Sequence, residues 1–314
     1  MKYEHLFGPV PSRRLGMSLG IDLVPKKVCS LDCVYCEVGQ TTLHTTIRKE
    51  YILFDKIAEE LKHYLNNNAK PDFLTLTGSG EPTLNSRIGD LISFIKQNYS
   101  EIPVAVITNG TLLNNPKVRE EILHADVVLP SLDASKDEIF KKINSPCSSL
   151  TVKDHVEGLV KFRESYTGKM WLEVFILPGY NDSVEEISRL KEMIEAISPD
   201  AVQLNTLDRP GVIEDLYPAS HEELIQIATH LTSQNIEIIV NPPKKHNLTI
   251  DERDLDSVIL STLQRRPCTL DDLTKITGLN EVVLSKYMVA LLENDIIEPF
   301  QQKRGKFYRI KGIE

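Results

Sequence analysis

The sequence has no uninterrupted run of 18 apolar residues, so we predict no membrane-spanning helix. It begins Met-Lys-Tyr-Glu-His, without the apolar core of a secretory signal peptide, and we expect a cytoplasmic protein. Cysteine is scarce: with 5 cysteines among 314 residues, the chain is not a small disulfide-stapled domain. Cytoplasmic thiols stay reduced, so cysteines that cluster here favour metal binding over a disulfide.

Positive charge is also in short supply. The chain has 36 Lys and Arg against 45 Asp and Glu, a net charge of −9. This balance argues against a surface coated for nucleic-acid binding, although it leaves room for a local basic patch. The apolar fraction of 41% is sufficient for a full core, and the length predicts one large domain plus a small one, or two domains.

The densest chemical feature is Cys29-Ser-Leu-Asp-Cys33-Val-Tyr-Cys36, three cysteines within eight residues. A tetrahedral zinc site needs a fourth ligand, which His44 or a distant residue would supply. Three thiolates also suit a 4Fe–4S cluster, in which they bind three irons and leave the fourth open. The spacing favours a cluster over zinc, with zinc and unrelated cysteines left as alternatives.

With Tyr35 just before the last cysteine, this motif resembles the signature of the radical S-adenosylmethionine (SAM) superfamily. The run Phe7-Gly-Pro-Val-Pro-Ser-Arg-Arg-Leu-Gly16 and the segment 18–22 are similar to a stand-alone subgroup related to enzymes that build wybutosine-type bases in tRNA. The superfamily resemblance covers roughly residues 15 to 240. It implies a 4Fe–4S cluster on the three cysteines and SAM on its open iron. It also implies reductive cleavage to a 5′-deoxyadenosyl radical, with an electron donor such as flavodoxin or ferredoxin.

Short apolar segments alternate with helical patterns after the cysteine motif. Strands are predicted at 17–24, 73–77, 104–108, 127–132, 171–176, 201–205 and 236–240. Alternation of this kind indicates parallel βαβ units, so we predict a partial or closed TIM-like (β/α)6–7 barrel, with a doubly wound sheet as the second choice. Residues 1–16, with two prolines and two glycines, are predicted to form an irregular arm.

The loop after the second of these strands reads Gly78-Ser79-Gly80-Glu81-Pro82. Closely spaced glycines let a backbone approach a ligand, although a simple tight turn gives the same pattern. The loop resembles the family's Gly-Gly-Glu-type motif, which binds the SAM amino group, with Ser79 in place of a glycine. By this resemblance, Ser79 and the backbone around Gly80 and Glu81 would contact SAM.

Three later strand ends also resemble cofactor-binding segments of the family. Asn109 would face the cofactor, unless it only forms an Asn-Gly turn. Ser131 and Asp133 would contact the carboxylate or ribose of SAM. Gly179 would pack on its adenine, although the fuller glycine-bearing form of that segment is missing here.

Other polar residues have two interpretations each. Gln203 and Asn205 share a strand face and would contact substrate or belong to a structural network. Arg13 and Arg14 would pair with carboxylates or contact a negatively charged group. Cys147 is an ordinary loop cysteine or donates a hydrogen atom to a substrate radical.

The C-terminal region has a pattern of its own. We predict a barrel domain at 1–241, a linker at 242–253 and a winged-helix-like domain at 254–314, because helical patterns there precede two strands, at 296–300 and 306–310. Lys286 is the only cation of the predicted recognition helix, and the wing carries Lys303, Arg304 and Lys306. This distribution leaves a nucleic-acid, peptide or self contact open.

Two functions follow. The first is a radical SAM enzyme that abstracts hydrogen from an unidentified RNA base, peptide or small molecule. The alternative is a DNA-binding regulator that senses redox state or metal through an Fe–S site. SAM-type loops after successive strands favour the enzyme, since a sensor has no use for them.

Overall fold

The computed structural model describes residues 3–209, 211–213, 215–231, 235–239, 255–302 and 305–312. Its strands are β1 (Leu6–Ser12), β2 (Gly16–Asp22), β3 (Val28–Cys29), β4 (Leu43–His44), β5 (Phe73–Thr77), β6 (Val104–Thr108), β7 (Val127–Pro130), β8 (Lys169–Phe175), β9 (Ala201–Asn205), β10 (Ile236–Ile238), β11 (Cys268–Thr269), β12 (Ile297–Gln302) and β13 (Gly305–Ile310). Its helices are α1 (Phe54–Asn67), α2 (Ile88–Asn98), α3 (Pro116–Ile122), α4 (Asp137–Ile143), α5 (Val152–Ser165), α6 (Val184–Ile197), α7 (His221–Leu231), α8 (Leu255–Arg265), α9 (Leu270–Thr277) and α10 (Glu281–Glu293), with one 3-10 turn at Pro82–Leu84. No helix of the described residues has the length and apolarity to cross a membrane.

The main sheet has eight strands in the order β1-β2-β5-β6-β7-β8-β9-β10. Strand β1 is antiparallel to β2, and all other neighbours are parallel. The parallel strands follow one another in chain order, so the sheet has no switch point of the doubly wound kind. This mixed α/β sheet is consistent with the predicted partial TIM-like barrel.

The prediction for residues 1–16 was wrong, because β1 is a regular strand rather than an irregular arm. Two prolines and a glycine disguise it in the sequence. An edge strand tolerates proline, since one row of its N–H groups needs no ladder partner. The pairing register also shifts between Phe7 and Val10, which accommodates the irregular segment.

Helix α2 shows why the helices cover this sheet. Its residues Ile88, Leu91, Ile92 and Ile95 recur at helical spacing and are all buried. Burying a side chain of this size contributes roughly 1.5–3 kcal/mol relative to exposure. Asp90 lies in the first turn, where its negative charge interacts favourably with the helix dipole.

A second apolar cluster lies in the C-terminal part of the chain, around α8, α9, α10 and β12. The order there is α8–β11–α9–α10–β12–β13, with a three-stranded antiparallel sheet β11-β13-β12. Thr269 is the N-cap of α9 and forms a capping box with Asp272. The Thr269 hydroxyl accepts from the Asp272 N–H, and the Asp272 carboxylate accepts from the Thr269 N–H. The predicted linker 242–253, with Lys303 and Arg304, lies outside the described residues.

Candidate cluster and cofactor site

The three cysteines lie at the end of β3 and on the loop that joins it to β4. Cys29 ends β3, which pairs with the neighbouring strand through Val28 and Cys29. Cys33 and Cys36 are linked by a turn in which the Cys36 N–H donates to the Cys33 carbonyl at 3.1 Å. All three cysteines are free and partly buried. The fold therefore presents three thiols on a short loop beside the carboxyl edge of the sheet.

Each of the three sulfurs accepts from its own side-chain N–H donor. Asn109 Nδ2 lies 3.6 Å from Cys29 Sγ, and Asn144 Nδ2 lies 3.4 Å from Cys33 Sγ. The ammonium of Lys27 lies 3.1 Å from Cys36 Sγ. Donors to thiolate sulfur stabilise negative charge on it and raise the reduction potential of a bound cluster.

Burial makes two of these thiols poor acids. It raises the pKa of Cys29 to about 12 and the pKa of Cys33 well above its ordinary value. The pKa of Lys27 is raised, because the nearby cysteines outweigh its own burial. Thiolates in this loop therefore need positive charge beside them, which bound iron supplies.

Zinc fits the loop less well. His44, the fourth ligand considered from the sequence, lies with Nε2 3.0 Å from the Ser30 carbonyl oxygen. Nowhere in the described ranges do three His, Cys, Asp or Glu side chains form a group that could hold a metal ion. A 4Fe–4S cluster makes a different demand, since each thiolate binds a different iron and the sulfurs need not converge on one ion.

The Gly78–Pro82 loop packs directly on the cysteine loop. The Glu81 N–H donates to the Val28 carbonyl at 3.0 Å, next to Cys29. A Cβ at Gly80 would lie 2.2 Å from that same carbonyl oxygen, so only glycine permits this approach. The Ser79 N–H donates to Asp22 Oδ1 at 3.0 Å. The sequence therefore brings this loop and the cysteines together as the resemblance implies.

The carboxylate of Glu81 is committed to protein donors. Its Oε1 accepts from the Thr83 N–H and from the hydroxyls of Thr83 and Thr108, while Oε2 accepts from the Asn109 N–H. This buried group ties the end of β5 to the end of β6. The Glu81 carboxylate is thus fully engaged by protein donors, and contact between this loop's backbone and SAM stays a prediction.

Asn109 lies at the end of β6, where the sequence predicts it. Its side chain contacts the cysteine loop. Its Nδ2 donates to Ser30 Oγ at 2.9 Å besides its contact with Cys29. Its Oδ1 accepts from the N–H and hydroxyl of Thr111. The Asn-Gly turn interpretation is compatible with this geometry, since Gly110 has a φ of +74°.

The Asp133 carboxylate is buried and accepts hydrogen bonds from three other residues. Its Oδ1 accepts from the Phe175 N–H at 2.9 Å, and its Oδ2 accepts from the Tyr35 hydroxyl at 2.5 Å and from Asn144 at 2.8 Å. Burial raises its pKa to about 6. Both carboxylate oxygens are thus engaged by protein donors, and the predicted contact between Asp133 and SAM stays a prediction.

Two further residues predicted to contact the cofactor, Ser131 and Gly179, differ in whether their surroundings suit a bound ligand. Ser131 is partly exposed, and its hydroxyl makes no hydrogen bond among the described residues, so it is available to a ligand. Gly179 lies in an exposed turn with a φ of +78°, and nothing is within 4 Å of a Cβ placed there. Its carbonyl accepts from Lys142 at 2.7 Å, so its position does not support contact with adenine.

The sheet interior holds the polar network that one interpretation predicted. Arg14 Nη1 lies 2.5 Å from a Glu173 carboxylate oxygen and 3.3 Å from Gln203 Oε1. Asn205 Nδ2 lies 3.4 Å from Glu173. The pairing interpretation of Arg14 is therefore correct, and Gln203 and Asn205 both have protein partners.

The last predicted site residue, Cys147, contacts the cysteine loop through its main chain. Its N–H donates to the Ser30 carbonyl at 3.0 Å. Leu31 and Pro146 form a β-bridge beside it. The side chain is partly buried, and the structure assigns it no partner among the described residues.

The sequence did not identify Lys27, Asn144 or Asp22 as site residues. The position of Lys27, two residues before Cys29, is a signal that it lies close to the cysteine sulfurs. Asn144 carried none, because 111 residues separate it from Cys33. Asp22 was visible only as the last residue of a strand, and its bond to Ser79 needs the parallel register of β2 and β5.

Comparison with known proteins places these features in a family. The model of the Radical SAM superfamily matches residues 23–190. A protein of Brachyspira hyodysenteriae named GTPase Obg is 38% identical over 299 residues, or 94% of this chain and 43% of its own length, so the chain spans less than half of that relative. The UPF0026 protein of Methanocaldococcus jannaschii is 36% identical over 223 residues, 70% of this chain and 69% of its own.

A solved structure resembles the fold. The crystal structure of a radical SAM methyltransferase from Sphaerobacter thermophilus superposes with a TM-score of 0.55 at 13% identity, over 70% of this chain and 66% of that one. At this identity the likeness concerns the fold alone.

Proposed function

The chain belongs to the Radical SAM superfamily and is a radical SAM enzyme, and on that basis we propose that Cys29, Cys33 and Cys36 bind a 4Fe–4S cluster. The observation that carries the proposal is the set of N–H donors, one for each sulfur, which come from three separate parts of the chain. When bound, the cluster supplies the electron for reductive cleavage of SAM, as the family resemblance implies. Thiols with only a structural role would not each need their own N–H donor, whereas thiolates that bind a cluster are stabilised by such donors.

The protein excludes water from the cluster and fixes the orientation of the cysteine loop that binds it. Leu31, Val34 and Phe175 belong to one apolar group around the cysteine loop. The Tyr35 ring stacks on Phe175 with 3.8 Å between centroids, and its hydroxyl donates to Asp133. Apolar walls exclude water, and exclusion of water is one of the factors that set the potential of an Fe–S cluster.

We assign SAM to the space beside the Gly78–Pro82 loop. The backbone of Ser79 and Gly80 and the free hydroxyl of Ser131 are the groups left to contact it. The carboxylates of Glu81 and Asp133 act as positioning groups, since their described partners are all protein donors. An electron donor such as flavodoxin or ferredoxin delivers the electron from outside.

We propose domain bounds of 1–241 and 254–314, with a linker at 242–253, and a winged-helix-like fold for the second domain. The order α8–β11–α9–α10–β12–β13 supports this fold, because a winged helix has one short strand after its first helix and a hairpin at its end. Helix α10, in the recognition position, exposes Val282, Val283 and Val289. An exposed apolar face with Lys286 as its cation favours a protein contact over DNA.

The alternative function, a DNA-binding redox or metal sensor, has no support from the family comparison. It also leaves the close packing of the Gly78–Pro82 loop on the cysteine loop without a purpose. The substrate of the enzyme remains a separate question, for which RNA bases, peptides and small molecules are all compatible with radical chemistry.

The test is anaerobic. The protein is reconstituted with iron and sulfide, reduced with dithionite or a flavodoxin system, and mixed with SAM, and 5′-deoxyadenosine is measured by mass spectrometry. We expect deoxyadenosine from the native chain and none from Cys33→Ala. Cys268→Ala is the matched control, since that buried cysteine lies in β11 and is not one of the three cysteines of the motif. A fully formed cluster that releases no deoxyadenosine with either reductant would refute the proposal.

A further inference from the structure

We propose that the cavity between the sheet and helix α9 binds a phosphate group of the substrate, an inference that rests on the proposed radical SAM function. The cavity has a volume of about 240 Å³. Five basic side chains line it, from the turn after β1, the segment after β9, and the C-terminal part of the chain: Arg13, Arg14, Arg209, Arg266 and Lys275. Only two acidic side chains, Asp208 and Asp272, line it among the described residues.

This local charge runs against the charge of the whole chain. The protein carries a net −9, yet five of its 36 Lys and Arg line one small cavity. The cavity therefore concentrates cationic hydrogen-bond donors, which suit an anionic group of a substrate. Guanidinium groups suit phosphate especially well, because their paired N–H donors match its oxygens.

Acidic neighbours outside the cavity hold several of these side chains in place. Arg14 pairs with Glu173, Lys275 with Asp271, and Arg209 with Glu37. Inside the cavity, Arg209 also pairs with Asp208 and Asp272. Together these carboxylates balance the positive charge of the five basic side chains and fix the direction of their donors. The question is therefore which donors remain for a ligand.

Arg209 and Arg13 keep unused donors, and both side chains line this cavity. The buried Nε of Arg209 has no hydrogen-bond partner in the described part of the chain, although the Nη atoms pair with carboxylates. Arg13 makes a single hydrogen bond, from Nη1 to the Ile239 carbonyl at 3.2 Å, and has no carboxylate within 4 Å among the described residues. A buried guanidinium with an unused donor is costly unless a ligand completes its contacts.

The cavity also has the right position. Its lining includes Thr75 and Thr77 of β5, and Thr77 directly precedes the Gly78–Pro82 loop. A phosphate held by Arg13 and Arg209 would place the rest of a substrate toward the carboxyl ends of the strands, where the cysteine loop lies. Phosphate is favoured over carboxylate because hydroxyl and guanidinium donors surround the cavity on several sides.

The experiment measures binding by anaerobic calorimetry of the reconstituted full chain at constant ionic strength, without SAM or reductant. The probes are inorganic phosphate, ribose 5-phosphate, ribose and malonate. We expect ribose 5-phosphate to bind more tightly than inorganic phosphate, and ribose not to bind. Absence of phosphate binding, equal binding of malonate, or tighter binding of inorganic phosphate than of ribose 5-phosphate would each overturn the proposal.

Variants locate the site. Arg13→Gln should weaken ribose 5-phosphate binding at least tenfold, and Arg309→Gln, on the distant hairpin, should leave it unchanged. Lys275→Gln provides a second test if Arg13→Gln does not fold, and it should weaken binding in the same direction. Unchanged binding in the folded variants would overturn the assignment. Since no SAM is cleaved in this assay, its failure is distinguishable from failure of the radical SAM function.

Discussion

Arg265 of helix α8 donates through Nη2 to Asp22 Oδ2 at 2.5 Å, although 243 residues separate the two. The other oxygen of Asp22 accepts from the Ser79 N–H, so the C-terminal part of the chain reaches the proposed SAM loop through one carboxylate. The Arg265 guanidinium also lies over the Phe7 ring, 4.3 Å from its centroid. Burial raises the pKa of Asp22, and the Arg265 charge opposes that rise.

We expect Arg265→Ala to weaken SAM binding about tenfold, through a more mobile Ser79 backbone, while the cluster content stays unchanged. Loss of one partner of a buried pair also costs roughly 3–5 kcal/mol of stability, so binding is compared on the folded fraction. The measurement is the SAM dependence of deoxyadenosine formation, with Arg265→Lys expected to recover part of the affinity. Arg309→Ala is the control, since Arg309 is exposed on the hairpin and pairs only with Glu298 among the described residues. Native SAM affinity in Arg265→Ala would show that Asp22 positions Ser79 unaided.

Lys27 should set the reduction potential of the cluster. Its ammonium lies 3.1 Å from Cys36 Sγ, and removing that positive charge disfavours the more negative, reduced cluster. We expect Lys27→Met to lower the potential by on the order of tens of mV in an EPR-monitored titration. Lys26→Met is the matched control, because the neighbouring Lys26 side chain is exposed. Equal potentials for the two variants would contradict the assignment.

Cys147 offers a test of the hydrogen-donor hypothesis from the sequence. Its described contact with the cysteine loop is a main-chain bond to Ser30, which alanine retains. We therefore expect Cys147→Ala to keep the native cluster content and native product formation. Product loss with deoxyadenosine formation retained would instead assign the hydrogen donor to Cys147, because a donor acts after SAM is cleaved.

The parallel strands and the cysteine loop were predictable because their signals are local. Apolar runs such as Phe73–Thr77 and Val104–Thr108 coincide with the predicted strands. Two-residue strands such as Cys268–Thr269 are too short to leave a periodic pattern. Strand β1 was hidden by residue types that normally break strands.

The chemistry of the site was predictable only in part, because its supporting bonds join distant parts of the chain. The three cysteines stand together in the sequence, but the donor for Cys33 comes from Asn144, which follows α4. The roles of Glu81 and Asp133 also depend on packing. Resemblance marks Asp133 and the backbone at Glu81 as cofactor contacts, whereas the hydrogen bonds that engage the two carboxylates depend on packing between distant segments.

Buried His155 should make the protein sensitive to acid. Burial lowers its pKa from 6.5 to about 4. Backbone hydrogen bonds with Asn109 and Ser131 favour the charged form but do not offset this effect. Between these two values the unfolded chain binds a proton that the native chain does not. The contribution is therefore fully present above pH 6.5 and is lost as the pH falls toward 4, a change of about 3 kcal/mol.

Asp133 should produce the opposite slope. Its pKa is raised from 3.8 to about 6 by burial, so the native chain binds the extra proton and stability falls as the pH rises between those values, again by about 3 kcal/mol. The two effects nearly cancel in the native protein, and single variants separate them. In urea unfolding of the metal-free chain from pH 4 to 6.5, we expect His155→Gln to lose stability with rising pH and Asp133→Asn to lose it with falling pH. Parallel pH profiles for the two variants would contradict both assignments, because a general loss of packing changes stability without reversing its dependence on pH.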